Sequence, residues 1–261
     1  MPIMFVEDAA ESSHPIDGGG YGSEVPLNLT VFCDLDGPLI DVSRRYYKTY
    51  QLAIAETQAH FQAQGRSLLL TPLSEPQFWQ MKQERMPDAD IAFCSGLRDD
   101  QIDLFLSKVL EIVNQPILLQ EDRLQPGVRQ SLEQLRQHSV RLSLVTLRCQ
   151  VEARQVLQEF HLAHYFDHIC GTEDRFAAYQ NYAEGKRAIL ENLMRNVSDD
   201  SSQFWVIGDT EADVLAGQAL GLSTVAVTCG IRSQSYLQRL EPTAVVPDLP
   251  TAVNYLLARA K

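Results

Sequence analysis

The stretch VFCDLDGPLID, residues 31–41, carries two aspartates one residue apart just beyond a short apolar run. Val31-Phe32-Cys33 reads as a buried strand, and Gly37-Pro38 reads as the turn that ends it. Residues i and i+2 of a strand share a face, so Asp34 and Asp36 are expected to emerge together at its carboxyl end. Open α/β sheets form their ligand crevice there. Two carboxylates so placed repel each other. A divalent cation, or a proton on one of the pair, makes the arrangement tolerable.

Working outward, apolar runs recur at 142–146, 166–170, 204–208, 223–228 and 243–246. Helical patterns lie between the later ones: Val128, Leu132 and Leu135; Val151, Val156 and Phe160; Val214, Leu215 and Ala219; Val253, Leu256 and Leu257. Short strands alternating with helices predict a doubly wound parallel sheet of Rossmann type, with helices on both faces. Residues 43–121 break the rhythm. Tyr47, Tyr50, Ile54 and Phe61 keep helical spacing behind Ser43, a predicted N-cap. Ile102, Phe105, Leu106 and Val109 keep it behind Asp99-Asp100. The segment 43–121 is therefore expected to be an all-helical cap, inserted in a core made of 26–42 and 122–261. Rooted beside Asp34, it would sit over the crevice and exclude water. Residues 1–25, polar and Gly-rich over much of their length, are expected to be a flexible tail.

The bulk properties narrow the function. Lys and Arg number 22 against 34 Asp and Glu, a net charge of −12 that speaks against nucleic acid and anionic membranes as partners. Five scattered cysteines without CxxC spacing argue against a disulfide framework or a zinc site. With no apolar run long enough to span a bilayer and no signal-peptide layout at the amino terminus, a cytoplasmic protein is expected. The oligomeric state is not readable.

Four further features fall where strands end or helices begin: Thr146 after LSLV, Lys186 at the start of KRAILENLM, Asp209 after FWVIG, and Asp213 in the turn that follows. If ionised, Asp34, Asp36, Asp209 and Asp213 sum to −4, and Lys186 leaves −3. Such a site repels phosphate until a hard, oxygen-loving cation enters. Mg²⁺ is the natural one for phosphate chemistry. Taken singly, each residue has a plain structural reading: Asp209 a helix cap, Thr146 a strand end, Lys186 a solvated surface group.

The ordered set DLDG, strand-end Thr, downstream Lys and GDxxxD resembles the four motifs of the haloacid dehalogenase superfamily. The segment after Thr146, TLRCQVEARQVLQEFHLAHYFDHICGTED, and the helical insertion are similar to the phosphoglycolate phosphatase and β-phosphoglucomutase branch. The resemblance implies Asp34 as nucleophile, Asp36 as proton donor and acceptor, Thr146 as a phosphoryl contact and Lys186 as the neutralising cation. It implies Mg²⁺ held by Asp34, Asp209 and the backbone carbonyl of Asp36, with Asp213 ligating through water or supporting the ligands. Asp36 separates the chain from the dehalogenases, which lack that aspartate, and from the transport ATPases, which carry Thr there. The resemblance thus implies a phosphatase of a small phosphorylated metabolite, with a sugar phosphomutase as the alternative and a non-catalytic phospholigand-binding protein as a third reading. Pro38 and Leu147-Arg148 depart from the usual pattern. Arg148 reads either as a contact for a second anionic group or as a surface salt bridge. Lys82 and Arg85, with Tyr46 and Trp79, are the cap residues expected to meet substrate if they face the crevice.

Overall fold

The structure is a computed structural model describing residues 28–174, 177, 182–196 and 203–259. The expected tail, residues 1–25, lies outside the described residues. Among the described residues eight strands form two sheets: β1 (Leu29–Cys33), β2 (Ile40–Asp41), β3 (Arg123–Leu124), β4 (Arg141–Cys149), β5 (His168–Thr172), β6 (Gln203–Gly208), β7 (Ser223–Val227) and β8 (Ala244–Val246). The larger is all parallel in the order β5-β4-β1-β6-β7-β8. The chain winds outward from β1 in one direction through β4 and β5, then in the other through β6, β7 and β8. The switch point therefore lies at β1, between β4 and β6, and a crevice opens beyond their carboxyl ends.

Alternation along the strands sorts the two faces. Val31 and Cys33 of β1 pack with Val128, Leu132, Ala153, Leu157, Val253 and Leu256 from three helices on one side. Phe32, between them, packs with Leu190, Leu193 and Ala216 from helices on the other. A strand buried on both faces needs a continuous apolar run, and all five residues of LTVFC are buried. The core is thus a doubly wound α/β sheet.

The all-helical cap is inserted between β2 and β3, which pair antiparallel at its root. It comprises α1 (Ser43–Ala63), α2 (Glu75–Gln83), α3 (Asp88–Cys94), α4 (Asp100–Ile112) and α5 (Pro116–Leu119). It has a core of its own, in which Tyr50 and Phe78 stack at 5.0 Å and the Tyr50 hydroxyl accepts from Leu73 N–H at 2.7 Å. No described helix is long and apolar enough to cross a membrane.

Three local readings differ. Ser43 is the first helical residue rather than the cap; the Asp41 carboxylate accepts its N–H at 2.9 Å. β4 does not end at Thr146 but continues to Cys149, with a register shift between Val145 and Cys149. Val151 and Leu215 face solvent. The helix of Val151, Gln150–Glu159, buries Ala153, Val156 and Leu157 instead, a set closer to helical spacing than the five-then-four spacing of Val151, Val156 and Phe160.

Candidate active site

The crevice holds a cavity of about 60 Å³ whose walls include Asp34, Asp36, Thr146, Lys186 and Asp209 from the core and Lys82 from the cap. Asp34 leaves β1 with its Oδ1 accepting the Leu35 N–H at 2.8 Å and its Oδ2 2.8 Å from Lys186 Nζ. Lys186 sits in the first turn of the helix Ala183–Asn196, buried, and donates also to Asp213 Oδ1. Asp213 has two further partners. It is the third residue of the helix Glu211–Ala219, and its Oδ2 accepts both the N–H (3.1 Å) and the hydroxyl (2.7 Å) of Thr210, the helix cap. One side chain therefore closes the helix start and fixes the lysine.

Asp209, between β6 and this cap, accepts the Ile231 N–H at 2.6 Å through Oδ2. Its Oδ1 is buried with no hydrogen-bond partner among the described residues. Oxygens of Asp34, Asp209 and Asp213 all lie within 4.8 Å of one another. Burial, with Asp213 and Asp34 adjacent, raises the Asp209 carboxyl well above its ordinary range. Burial also pushes Asp34 up to about 7 despite the lysine against it, because Lys186 is shared with Asp213, whose charge works the other way. Three buried carboxylates around one ammonium, one of them with an orphaned oxygen, fit a divalent cation with oxygen preference. The glycines around them leave the necessary room. Gly37 adopts φ +92°, and a Cβ there would overlap the Asp209 carboxylate.

Asp36 stands apart from this cluster. Both its oxygens accept from Arg148, at 2.6 and 3.2 Å, and Arg45 approaches to 3.5 Å. The crowding expected of the Asp34–Asp36 pair is thus relieved by separate cations, Lys186 for one and arginines for the other. Arg148 is buried behind Asp36 and also holds Asp122; it is neither on the surface nor in the cavity wall. Thr146 is buried within β4, and its hydroxyl accepts the Arg148 N–H at 3.1 Å.

Of the cap residues, Lys82 reaches the cavity wall and pairs with Asp88 at 3.0 Å. Arg85 instead docks on Glu211 of the core, half exposed. Arg232 binds the same carboxylate at 2.7 Å and donates to the Lys82 carbonyl at 2.9 Å. Burial opposes the charge on Glu211, but Arg232 and Arg85 together hold its carboxyl down to about 2. With Ser233 N–H donating to the Gln83 carbonyl at 3.1 Å, these contacts close the cap on the core. Sequence reasoning missed Arg232, Arg45 and Asp122. Arg232 follows β7, a strand-end position that carries a signal. Arg45 and Asp122 carry none.

The family model of haloacid dehalogenase-like hydrolases matches residues 31–227. A phosphoglycolate phosphatase of Agrobacterium fabrum is 24% identical over 233 residues, covering 85% of this chain and 90% of its own. Pyrophosphatase PpaX of Halalkalibacterium halodurans is 24% identical over 135 residues, 52% of this chain and 60% of its own. The match thus spans 60% of that relative's length, and 44% in a phosphoglycolate phosphatase of Pseudomonas syringae. In fold, the chain is similar to a haloacid dehalogenase-like hydrolase of Streptococcus pneumoniae (TM-score 0.64, 22% identity, 88% of this chain and 99% of that one). A haloacid dehalogenase superfamily hydrolase of Geobacter sulfurreducens gives a TM-score of 0.60 at 18% identity, over 88% of this chain and 97% of that one. A family match that runs from the strand before Asp34 to the end of β7, through every residue of the carboxylate cluster, makes this chain a member of the haloacid dehalogenase-like hydrolases.

Proposed function

We propose that this chain is a Mg²⁺-dependent phosphatase that hydrolyses a small phosphorylated metabolite through an aspartyl-phosphate on Asp34. The observation that carries the reading is the buried cluster itself: Asp34 held by Lys186 at 2.8 Å beside the orphaned oxygen of Asp209, with Asp36 on the same cavity wall. Mg²⁺ held by Asp34, Asp209 and the Asp36 carbonyl, with Asp213 behind them, would neutralise charge on the transferring phosphoryl group. The −3 counted from the motif residues becomes −2 once Arg45, Arg148 and Asp122 are included, so one Mg²⁺ together with the proton that Asp36 donates leaves +1 to meet an anionic phosphate.

In the first half-reaction an Asp34 oxygen attacks phosphorus, the ester P–O bond breaks, and the leaving oxygen takes the proton of Asp36. Lys186 keeps Asp34 aimed, and the Thr146 hydroxyl contacts the phosphoryl oxygens. In the second, water gives a proton to Asp36 and attacks the same phosphorus. The P–O bond to Asp34 breaks, phosphate leaves, and both aspartates return to their starting forms.

A cavity walled by Asp34, Asp36, Lys186 and Asp209 from the core and by Lys82 from the cap supports a small, phosphorylated substrate. The relatives named phosphoglycolate phosphatase and pyrophosphatase point the same way. The mutase alternative needs several donors for a second phosphate, and Arg232 on the cavity wall is bound at two points to Glu211, which leaves Lys82 as the cap cation there to meet a second anionic group. The test is phosphate release from a panel containing phosphoglycolate, pyrophosphate and hexose 1-phosphates, with and without the matching hexose bisphosphate. Free phosphate without a bisphosphate is the expected result. Transfer to another carbon faster than release would put the mutase in its place, and no turnover of any panel member would refute both.

A further inference from the structure

Asp36, the proton-transferring residue of the proposed reaction, is held by groups outside the carboxylate cluster. Arg148 grips it at two points, Nη2 on Oδ1 at 2.6 Å and Nε on Oδ2 at 3.2 Å. The same Nη2 donates to Asp122 Oδ2 at 2.8 Å. Asp122 Oδ1 lies 2.8 Å from Arg45 Nε, and Arg45 Nη2 returns to Asp36 Oδ2 at 3.5 Å. Two carboxylates and two guanidiniums thus close a ring of alternating charge. The side chains of Arg45, Arg148 and Asp122 are 3% exposed or less, whereas Asp36 keeps 18% and lies on the cavity wall. The ring therefore has one open member, and it is the one whose place matters to the chemistry.

Its supports come from both sides of the cap root. Arg45 lies in the first turn of α1, where the chain enters the cap, and Asp122 immediately precedes β3, where it returns. Arg148 belongs to β4 of the core. A planar fork sets the angle of a carboxylate as well as its distance, which a lysine ammonium cannot do. Buried ion pairs contribute little net stability compared with apolar packing. A ring of four charged groups calls for a reason other than stability.

We propose that Arg148 is a positioning residue: its fork sets where the Asp36 carboxylate stands, and Asp122 and Arg45 hold the fork in register with the cap root. The role rests on the phosphatase reading. It leaves Arg148 no direct part in binding phosphate: Nε and Nη2 are committed within the ring, and Nη1, without a hydrogen-bond partner among the described residues, belongs to a buried side chain that does not line the cavity.

The experiment is a double-mutant cycle of Arg148→Lys and Asp36→Asn, measured as kcat and KM on the panel ester turned over fastest, in saturating Mg²⁺. An ångström of misplacement costs on the order of 10²-fold in rate. Arg148→Lys should lower kcat by that order while KM and the Mg²⁺ requirement stay within about threefold. In the Asp36→Asn background the same substitution should change the residual rate by less than about threefold, because the group it positions is already disabled. An equal loss in both backgrounds, or wild-type kcat in Arg148→Lys, overturns the role. Should Arg148→Lys fail to melt cooperatively, Asp122→Asn goes through the same cycle, with a loss of about tenfold that disappears beside Asp36→Asn. Wild-type turnover tests the underlying reading separately. No phosphate release from any ester removes that reading and this role together, whereas an active wild type with an additive cycle removes only the role.

Discussion

Asp34 Oδ2 lies 2.8 Å from Lys186 Nζ, and the same ammonium donates to Asp213, so one buried cation serves two buried carboxylates. Each aspartate is only partly neutralised. That shortage explains why burial prevails over Lys186 at Asp34 and pushes its carboxyl up to about 7. It also leaves negative charge that the proposed Mg²⁺ would neutralise.

Asp34→Asn should abolish phosphate release, by 10³-fold or more, because an amide oxygen is no nucleophile at phosphorus. The fold should survive, since an uncharged group replaces a carboxylate that burial and Asp213 already disfavour. Phosphate release and thermal melts in chelator measure the two parts. Residual activity within tenfold of wild type, a barrier change of only about 1.4 kcal/mol, contradicts a covalent role for Asp34.

Mg²⁺ binding should depend on pH with a definite sign. A metal takes the ionised carboxylate, so binding must expel the proton that Asp34 holds below about 7. Apparent affinity should rise with pH, by up to about tenfold per unit for each proton the metal expels, one from Asp34 and one from Asp209, whose carboxyl is also raised. Without metal the Asp34 proton makes stability fall as pH rises from about 4 to about 7, because the native state then binds more protons than the unfolded chain. Calorimetric Mg²⁺ titrations between pH 5.5 and 8.5, with melts in chelator over the same range, test both signs. Activity should vanish in chelator and return with Mg²⁺ but not with Ca²⁺, whose longer bonds and larger ligand shell loosen the geometry.

Gly37→Ala should harm the site more than the fold. At φ +92° a side chain adds strain of about 1–3 kcal/mol, and the new Cβ collides with the Asp209 carboxylate, whose Oδ1 is the orphaned one. Urea denaturation should show a loss in that range, while the Mg²⁺ concentration for half-maximal activity rises at least about tenfold. An unchanged Mg²⁺ requirement would separate Asp209 from the metal.

Lys82→Ala should redirect specificity. Lys82 is the cap cation on the cavity wall, and a hydrogen bond to a charged group contributes about 1.5–3 kcal/mol. Losses in kcat/KM of about tenfold or more are expected for esters carrying a second anionic group, against little change for an aryl phosphate. Equal losses for all substrates would place Lys82 in closure of the cap rather than in recognition.

Much of the fold was legible along the chain because burial on both sheet faces demands continuous apolar runs, as in LTVFC of β1, whereas the edge strand β5, HICGT with His168 exposed, carries the pattern only weakly. The placement of Asp34, Thr146, Lys186 and Asp209 around one crevice follows from the same logic, since a doubly wound sheet brings its strand ends and helix starts to one edge. Local readings failed where one residue was asked to decide. Ser43 has the chemistry of a cap, yet the preceding Asp41 carboxylate takes the helix N–H. Val151 is apolar, yet Ala153 and Leu157 suffice for the inward face and leave it in solvent.

The sequence by itself determined the order of strands and helices, the inserted helical cap and the run of chemical groups that leads to a phosphoryl-transfer reading, because each is written in periodicity or in short spacings. Only the tertiary structure decided which charges meet. Arg45, Asp122 and Arg148 are far apart in the chain and share no local pattern, yet with Asp36 they close one ring. Arg85 and Arg232, equally distant from each other, meet on Glu211. A buried charge takes whatever opposite charge the packing of distant elements brings within reach. The choice of partner is therefore a property of the folded arrangement and of no stretch of sequence alone.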